Sequence, residues 1–448
     1  MSALNTDLYE LTMAAGYFMA GKTEDIATFE LMVRRLPEQR NFLVAAGLQQ
    51  AAEYLLNFQF KREEIAYLRS LRQFRRTPPE FFDYLAQLRF TGELFAMREG
   101  TPVFANEPLA IVRAPLIQAQ IVETYLLSTL AHQTSIASKA ARCVLAAQGR
   151  QIVEFGSRRA HSPNAALLSA RAAYIGGCDG TSNAQAGMMF DIPVSGTAAH
   201  SWTMAFENEE ESFRALQKLL GQDTVYLLDT YDTLSGAETA VRVGRPMWGV
   251  RLDSGDLDTL SREVRLILDR ANLGDTRIMA TGDLDEFRIE RLIQAQAPID
   301  SFGVGTQLTT SADAPALPAV YKLVELNSGG TERYTAKFSG EKSTVPAAKQ
   351  VYRYRHCDAV AMFNECNPDF KGEPLLRPVI SKGALVEPLP CVRAVRSHCL
   401  EAVRSLPERL FSLQDALPYE VTIGPPLLDL AESVRAEHLE RVLPETAN

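Results

Sequence analysis

Apolar and polar positions in the first quarter of the chain predict a mixed helical and β segment. Leu8, Leu11 and Ala15 recur on one helical face, and Asp7 and Glu10 have the spacing of a capping box. Turns rich in glycine and proline then separate short β-rich runs, which is typical of a small antiparallel sheet. The predicted elements are a helix at 1–25, a strand at 26–34, helices at 43–57, 61–74 and 78–89, and the sheet at 90–115.

A long helix is predicted next, at 116–148, and the chain then alternates short apolar runs with helical patterns. Each run ends in a polar or glycine-rich segment, and several runs lie about 20–30 residues apart, as in βα units. This repetition predicts a parallel sheet with enough units for an irregular barrel. The runs are 152–155, 225–228, 248–252, 278–280 and 299–302.

Strand patterns return after residue 318 and mix with helices. The strands predicted there are 320–326, 334–338 and 350–354, and the helices are 392–404 and 427–442. These changes in pattern divide the chain into three parts. They are an N-terminal α+β segment (1–115), an α/β barrel that holds the active site (116–318) and a C-terminal segment (319–448).

The charge and composition of the 448 residues narrow the possible functions. The net charge is −9, and no block of Lys and Arg is long enough to follow a phosphate backbone, which argues against nucleic-acid binding. No apolar run approaches the roughly 20 residues of a membrane span, and the N-terminus lacks the features of a secretory signal. Six scattered cysteines are typical of reduced thiols. We therefore expect a cytoplasmic protein that binds neither nucleic acid nor a membrane.

Polar clusters follow the apolar runs of the middle segment. Because all strand carboxyl ends of a parallel array open onto one face, these clusters are predicted to converge. The alternative is that each aspartate only caps the helix that follows it. The converging residues would be Arg158, His200, Asp229, Arg251, Asp253, Asp283 and the loop 303–306.

The residue types in these clusters suit a phosphorylated sugar together with a small acid. The loop 303–306 offers backbone N–H groups and a hydroxyl, as in a phosphate-binding nest, and no GxxxxGK[ST] motif occurs. Carboxylates in 253–256 can hold ribose hydroxyls or Mg²⁺, while Arg158 and Arg251 can bind a carboxylate or a phosphate. His200, in a loop of small residues, can act as a base or as a nucleophile.

Seven segments resemble the nicotinate phosphoribosyltransferase family, and they occur in the order that the family has. One such segment alone is a weak signal, but their common order is a strong one. The segments are 6–12, 154–159, 180–183, 196–201, 250–256, 303–306 and 349–353.

The resemblance implies an α/β fold, with an irregular, incomplete (β/α) barrel and an α+β domain built from the N- and C-terminal segments. It implies transfer of the 5-phosphoribosyl group from phosphoribosyl pyrophosphate to nicotinate, coupled to ATP hydrolysis. The products would be nicotinate mononucleotide, for NAD biosynthesis, and pyrophosphate. The expected cofactor is Mg²⁺, the expected co-substrate is ATP, and the expected assembly is a homodimer with shared active sites.

Residue roles follow from the same resemblance. His200 is expected to be phosphorylated by ATP, with Ser201 near the phosphoryl group, and we hypothesise that Asp229 orients the second ring nitrogen of His200. Ser182 stands where related nicotinamide enzymes have an aspartate. The absence of that negative charge favours binding of nicotinate, because nicotinate carries a negatively charged carboxylate. Nicotinate is expected to contact Arg158, Thr197, Arg251 and Tyr9 of the partner subunit. The 5′-phosphate is expected to contact Gly303, Gly305 and Thr306. The ribose is expected to lie near Asp253, Gly282 and Asp283.

Three other functions share parts of this pattern. A nicotinamide phosphoribosyltransferase is disfavoured by Ser182. A quinolinate phosphoribosyltransferase would need a more basic pocket for its second carboxylate. A non-catalytic relative that only binds ligands is disfavoured because His200, Asp253 and the loop 303–306 are all present.

One residue departs from the pattern of the family, and one possible metal site is left undecided by the sequence. Ala347 stands where the family has a glycine, so we expect that turn to differ. The C-terminal histidines and cysteines could form a zinc site, or the cysteines could remain free thiols. The chain has no CxxC pair, which is the usual spacing of zinc-binding cysteines, and this favours free thiols. The candidates are His356, Cys357, Cys366, Cys391, His398 and Cys399.

Overall fold

The chain folds as successive groups of helices and strands, and a computed structural model describes residues 2–338, 344–363, 365 and 371–442. The N-terminal elements are α1 (Leu8–Met19), β1 (Ile26–Val33), β2 (Leu43–Val44), α2 (Leu48–Leu56), α3 (Arg62–Ser70), α4 (Pro79–Gln87), β3 (Glu93–Met97), β4 (Pro102–Val103), β5 (Pro108–Pro115), α5 (Leu116–Ile121) and α6 (Glu123–Ala146). The central elements are β6 (Gln151–Glu154), α7 (Pro163–Ile175), β7 (Gly180–Thr181), α8 (Ala184–Phe190), α9 (His200–Met204), α10 (Glu209–Leu220), β8 (Val225–Leu227), α11 (Thr233–Val243), β9 (Gly249–Leu252), α12 (Leu257–Arg270), β10 (Arg277–Ala280), α13 (Glu286–Gln294), β11 (Ser301–Val304) and α14 (Thr306–Thr309). The C-terminal elements are β12 (Ala319–Ser328), β13 (Thr331–Tyr334), β14 (Lys349–Arg353), β15 (Cys357–Met362), β16 (Glu373–Pro374), β17 (Leu376–Ser381), β18 (Ala384–Leu385), α15 (Val392–Arg404), β19 (Glu420–Ile423) and α16 (Pro425–Val442).

Both ends of the chain build one α+β domain, as predicted. Its seven-stranded sheet has the order β13-β12-β1-β5-β3-β17-β18, so C-terminal strands lie on both sides of strands from the N-terminal segment. A second, four-stranded sheet has the order β16-β14-β15-β19. The two sheets meet where Lys349 of β14 forms a buried ion pair with Glu30 of β1, with 2.6 Å between Nζ and Oε2. Every residue of β1 after Ile26 is therefore buried, although the sequence pattern of this strand alternates.

The central strands form an open parallel sheet with the order β7-β6-β11-β10-β9-β8. Its edge strands β7 and β8 do not pair with each other in the described part of the chain, so the barrel is irregular and incomplete, as predicted. The strands bury apolar side chains such as Ile152, Val250 and Phe302 completely. Because the strands are parallel, all of their carboxyl ends lie at one edge of the sheet.

The first helix is shorter than predicted, and its predicted capping box is wrong. Asp7 makes no side-chain capping hydrogen bond. Glu10 is instead fully buried and accepts a hydrogen bond of 3.1 Å from the amide of Thr124, in the first turn of α6. Burial raises the pKa of Glu10 to about 7. The helix predicted at 116–148 is divided at Val122, next to the turn that Glu10 caps.

Two other parts of the chain differ from the expectation, one in the bounds of a strand and one in the packing of a helix. The strand predicted at 334–338 lies earlier, because β12 and β13 form a hairpin in which Ser328 pairs with Thr331. The two turn residues, Gly329 and Gly330, both have positive φ, which a tight hairpin of this type requires. Helix α15 has the predicted bounds and belongs to the C-terminal part of the chain, but its residues Val395 and Cys399 join the core of the barrel.

The other open features of the C-terminal part have structural answers. Ala347 is buried and has a φ of +66°, so it takes the left-handed conformation that glycine favours. Within the described ranges, no three His, Cys, Asp or Glu residues form a group that could hold a metal ion, and Cys366 lies outside those ranges. His398 instead lies 3.2 Å from the Thr101 hydroxyl.

No helix in the described part of the chain is long and apolar enough to cross a membrane. The cytoplasmic location expected from the sequence stays a prediction.

Candidate active site

Two adjoining cavities open at the carboxyl edge of the parallel sheet, with volumes of about 260 and 250 Å³. Phe155, Arg158, Arg251 and Asp253 line both cavities, so the cavities meet at these side chains. The first cavity is also lined by Ser157, Ser182, Gly196, Thr197, Ala198, Ala199, His200 and Leu227. The second is also lined by Arg159, Thr281, Gly282, Asp283, Gly303, Gly305 and Thr306. The structure thus brings most of the sequence-predicted site residues together.

Arg251 lies at the junction of the cavities, and three neighbours fix its guanidinium. Nε donates a hydrogen bond of 2.9 Å to Thr281, Nη1 donates one of 2.6 Å to Thr197, and Nη2 donates one of 2.7 Å to Asp253. These bonds join β9, the end of β10 and the loop before α9. A guanidinium that is already held in place loses little side-chain entropy when it binds a carboxylate or a phosphate.

Asp253 supplies a negative charge at the same junction. Burial opposes this charge, but the Arg251 guanidinium and the Thr281 hydroxyl outweigh the effect and hold the pKa of Asp253 below its usual range. Asp253 is therefore ionised at neutral pH. Its Oδ2 lies 3.6 Å from Nε2 of His200.

His200 begins α9, and its two ring nitrogens have different neighbours. Nδ1 lies 3.2 Å from the hydroxyl of Thr230, while Nε2 faces Asp253. The contact that we hypothesised between Asp229 and His200 is wrong. Oδ2 of Asp229 instead accepts hydrogen bonds from the amide of Asp253, at 3.3 Å, and from the hydroxyl of Ser254. Asp229 therefore holds the turn after β9, and Thr230 orients the imidazole.

The end of β11 and the loop after it contain glycines where a side chain would collide or fill the second cavity. A Cβ on Gly303 would lie 2.6 Å from both the Phe155 ring and the Thr281 methyl group. Gly305 and Thr306 line the second cavity beside Arg159. Backbone N–H groups, a hydroxyl and an arginine around one space suit an anion such as phosphate.

Gly282, after β10, packs against the backbone of the turn after β9. Its φ is +90°, and a Cβ there would lie 2.0 Å from the carbonyl oxygen of Asp253. We expect Gly282→Ala to lower the free energy of unfolding by about 3 kcal/mol, because left-handed alanine costs about 1–2 kcal/mol and overpacking adds about 1–3 kcal/mol. Denaturant unfolding measures this loss.

Gly149→Ala is the matched control for the steric part of that loss. Gly149 has nearly the same φ, +89°, but nothing lies within 4 Å of its Cβ position. Only the conformational cost of about 1–2 kcal/mol is therefore expected. Equal losses in the two variants would contradict the predicted collision with Asp253.

Three sequence-predicted site residues, Asp229, Tyr9 and Ser201, line neither cavity. Tyr9 lies on α1 in the α+β domain and is 46% exposed. Burial of its hydroxyl and the Glu123 carboxylate beside it raise the pKa of Tyr9 above its usual value. Ser201 is the second residue of α9 and is exposed, so the structure does not bring it into the site with His200.

The structure also adds residues that sequence reasoning missed, among them Phe155, Thr230 and Thr281. Thr230 and Thr281 lie next to predicted site residues, in the loops that follow β8 and β10. Their position at strand ends could therefore have identified them as candidate site residues. Phe155 looked like the last apolar residue of a buried run. The pattern could not show that its ring faces both cavities.

Family models and relatives match nearly the whole chain. The model of the nicotinate phosphoribosyltransferase N-terminal domain matches residues 4–131, the family model matches 150–346, and the C-terminal domain model matches 339–431. A nicotinate phosphoribosyltransferase of Bacillus subtilis (strain 168) is 44% identical over 393 residues, which cover 84% of this chain and 79% of that protein. One from Mycobacterium tuberculosis (strain ATCC 25618 / H37Rv) is 41% identical over 450 residues, with coverage of 98% and 95%.

Solved structures share the fold over most of its length. The crystal structure of human nicotinic acid phosphoribosyltransferase aligns with a TM-score of 0.84 at 28% identity, covering 96% of this chain and 99% of that one. A nicotinate-nucleotide pyrophosphorylase from Pyrococcus furiosus aligns with a TM-score of 0.74 at 25% identity, covering 90% and 95%.

The fold and the joined cavities define an enzyme of the phosphoribosyltransferase class, with an open α/β barrel that carries the site at its strand ends. The Mycobacterium tuberculosis and Bacillus subtilis relatives, both above 40% identity, cover 98% and 84% of the chain. The chain belongs to the nicotinate phosphoribosyltransferase family.

Proposed function

We propose that this chain transfers the 5-phosphoribosyl group of phosphoribosyl pyrophosphate to the ring nitrogen of nicotinate, a step of NAD biosynthesis, with ATP as co-substrate. The products are nicotinate mononucleotide and pyrophosphate. The observation that supports this proposal most is the junction of the two cavities at Arg251 and Asp253. One cavity suits a small acid, the other suits a phosphate, and the reacting atoms of both substrates must meet between them.

The chemistry of the transfer fits the groups at this junction. The bond between C1′ and the pyrophosphate oxygen breaks while a bond from C1′ to the pyridine nitrogen forms, so positive charge develops at the sugar carbon. The Asp253 carboxylate stabilises that charge. The pyridine nitrogen carries a lone pair and no proton, so no general base is needed. Arg158 and Ser182 border the first cavity and would hold the nicotinate carboxylate.

His200 is then available to accept a phosphoryl group. With the Nδ1 proton donated to Thr230, Nε2 carries the lone pair that attacks the γ-phosphorus of ATP. An N–P bond forms while the O–P bond to the leaving ADP breaks. The phosphohistidine adds negative charge beside Asp253, and its hydrolysis couples ATP to product formation.

Mg²⁺ is the cofactor that we propose, held by Asp253 and Asp283. Mg²⁺ usually binds through one or two carboxylates, substrate phosphates and water, so a cage of three protein ligands is not required. When bound, it neutralises the charge of the pyrophosphate leaving group. Asp283 is exposed on the rim of the second cavity, where such phosphates would lie.

A parallel assay of three acceptors tests the proposed function. Nicotinate, nicotinamide and quinolinate are each supplied with phosphoribosyl pyrophosphate and Mg²⁺, with and without ATP. We expect nicotinate mononucleotide, increased by ATP, and at least about 100-fold slower turnover of the other acceptors. Turnover of nicotinamide without ATP would contradict the proposal. Binding of phosphoribosyl pyrophosphate without turnover of any acceptor would identify a non-catalytic relative.

We also propose that the protein is a homodimer in which Tyr9 completes the first cavity of the partner subunit. Tyr9 is half exposed and lies outside both cavities of its own chain. Leu8 and Met13, on the same helix, are also exposed apolar residues, as expected of a surface that another subunit covers. An aromatic ring there would stack on nicotinate, opposite Phe155.

Mixed dimers of Tyr9→Ala and Asp253→Asn are expected to recover activity. Each variant alone lacks a residue that every shared site needs, whereas a mixed dimer contains one site with both residues intact. Random pairing should restore about a quarter of the wild-type activity, since half of the dimers are mixed and half of their sites are complete. Co-expression with two affinity tags isolates the mixed dimer, which should have about half of the wild-type activity because one of its two sites is complete. Inactive mixed dimers would contradict the shared site.

A further inference from the structure

Glu154 joins two chain segments that line the first cavity. It is the last residue of β6 and is 1% exposed. Its Oε1 accepts a hydrogen bond from the amide of Gly156, and its Oε2 accepts one of 2.5 Å from the hydroxyl of Thr181. Its carbonyl oxygen accepts a third, of 2.9 Å, from the amide of Ser182. One buried residue therefore holds segment 155–159 against segment 181–183.

A second hydrogen-bonded bridge joins the same segments. The Thr181 hydroxyl oxygen also accepts a bond of 3.0 Å from the amide of Asn183. The side-chain amide of Asn183 then donates a bond of 3.1 Å to the hydroxyl of Ser157. The two segments are thus tied at two points. They carry Phe155, Ser157, Arg158 and Ser182 into the first cavity.

The Gly156 amide and the Thr181 hydroxyl both donate to the charged form of the Glu154 carboxyl group. Burial raises the pKa of Glu154, while the bonds from the Thr181 hydroxyl and the Gly156 amide oppose that rise because both donate to the charged form. A glutamine has one acceptor oxygen and one donor nitrogen, so with its oxygen on the Gly156 amide it presents an N–H group to Thr181, whose hydroxyl must then accept instead of donate. Glutamine therefore keeps the shape of the side chain but weakens the bridge, because a neutral hydrogen bond replaces the charge-assisted one.

We propose that Glu154 is a positioning residue that sets the separation of Arg158 and Ser182, and with it the fit of the nicotinate carboxylate in the first cavity. This inference rests on the proposed function. The phosphate loop 303–306 depends less on Glu154, because both side-chain hydrogen bonds of Glu154 go to Gly156 and Thr181 and not to this loop. The loop is also held at α14, where the Thr310 hydroxyl donates to the carbonyl of Thr306 at 2.7 Å.

Initial-rate kinetics of Glu154→Gln in both substrates test this role. We expect the KM for nicotinate to rise about tenfold and kcat to fall less than about threefold, with the KM for phosphoribosyl pyrophosphate within about twofold of wild type. Glu99→Gln is the matched control. Glu99 is also buried, accepts hydrogen bonds from the amides of Gly47 and Leu48, and lines neither cavity. Glu99→Gln should lower the Tm at least as much as Glu154→Gln does, and it should leave the KM values for both substrates unchanged.

Thr181→Val provides a second test that does not depend on the folding of Glu154→Gln. It removes the donor to Oε2 and keeps the size of the side chain, so it should also raise the KM for nicotinate. The double variant should show less than the sum of the two effects, because both changes break the same bridge. An unchanged KM for nicotinate, or equal rises in both KM values, would overturn the positioning role. Failure of the wild-type enzyme to use nicotinate would instead overturn the proposed function.

Discussion

Asp253→Asn should lower kcat/KM for nicotinate by about 100- to 1000-fold, which is the effect of removing one preorganised group that stabilises transition-state charge. The carboxylate lies where the two cavities meet, so in the proposed reaction it would face the sugar carbon at which positive charge develops. Asparagine still accepts the bond from Arg251 but carries no charge. The loss should appear in kcat, because the charge develops only in the transition state. Steady-state kinetics at saturating ATP measure it.

Asp256→Asn is the control for the change in charge. Asp256 lies in the same turn, is exposed, and caps α12 through the amide of Asp258. Asparagine caps a helix about as well as aspartate, so the fold should be unaffected. We expect kcat/KM within about twofold of wild type. Equal losses in Asp253→Asn and Asp256→Asn would show that only the overall charge of the loop matters.

His200→Ala should abolish the stimulation of turnover by ATP and leave the ATP-independent transfer within about threefold of wild type. The imidazole is the proposed phosphoryl acceptor, while Arg251 and Asp253 keep their mutual hydrogen bond without it. Two readouts apply, namely product formed with and without ATP, and protein-bound label from ATP labelled at the γ-phosphate. Both the stimulation and the label should disappear together.

Ser201→Ala serves as the control for His200→Ala. Ser201 is the next residue of α9, but it is exposed and lines neither cavity. Its replacement should leave ATP stimulation and labelling intact. Persistent labelling of His200→Ala would show that another residue accepts the phosphoryl group.

The strand ends of the site could be predicted from the sequence because buried parallel strands are short apolar runs. β9 and β10 were recognised in this way, and the parallel direction then fixes the edge at which their loops lie. Which side chain in a loop reaches a given atom could not be predicted. Asp229 and Thr230 are neighbours, and the conformation of the turn after β8 decides that Thr230 contacts His200. Sequence spacing carries no information about that conformation.

Contacts between distant parts of the chain explain the other differences. Glu10 was predicted to cap its own helix, yet it bonds to Thr124, and the break in the helix that follows residue 116 lies at that contact. The core strand β1 is buried on both faces because a second sheet reaches it through Lys349. The hairpin at Gly329 and Gly330, by contrast, had a local signal, since two adjacent glycines favour a tight turn with positive φ.

A structure of the protein with nicotinate mononucleotide bound tests the placement of the two substrates most directly. We predict that the pyridine carboxylate lies in the first cavity at Arg158 and Ser182, and that the 5′-phosphate lies on the loop 303–306. C1′ should then lie at the junction beside Asp253. A nucleotide bound elsewhere, or a phosphate in the first cavity with the pyridine ring away from Arg158, would contradict the proposed site.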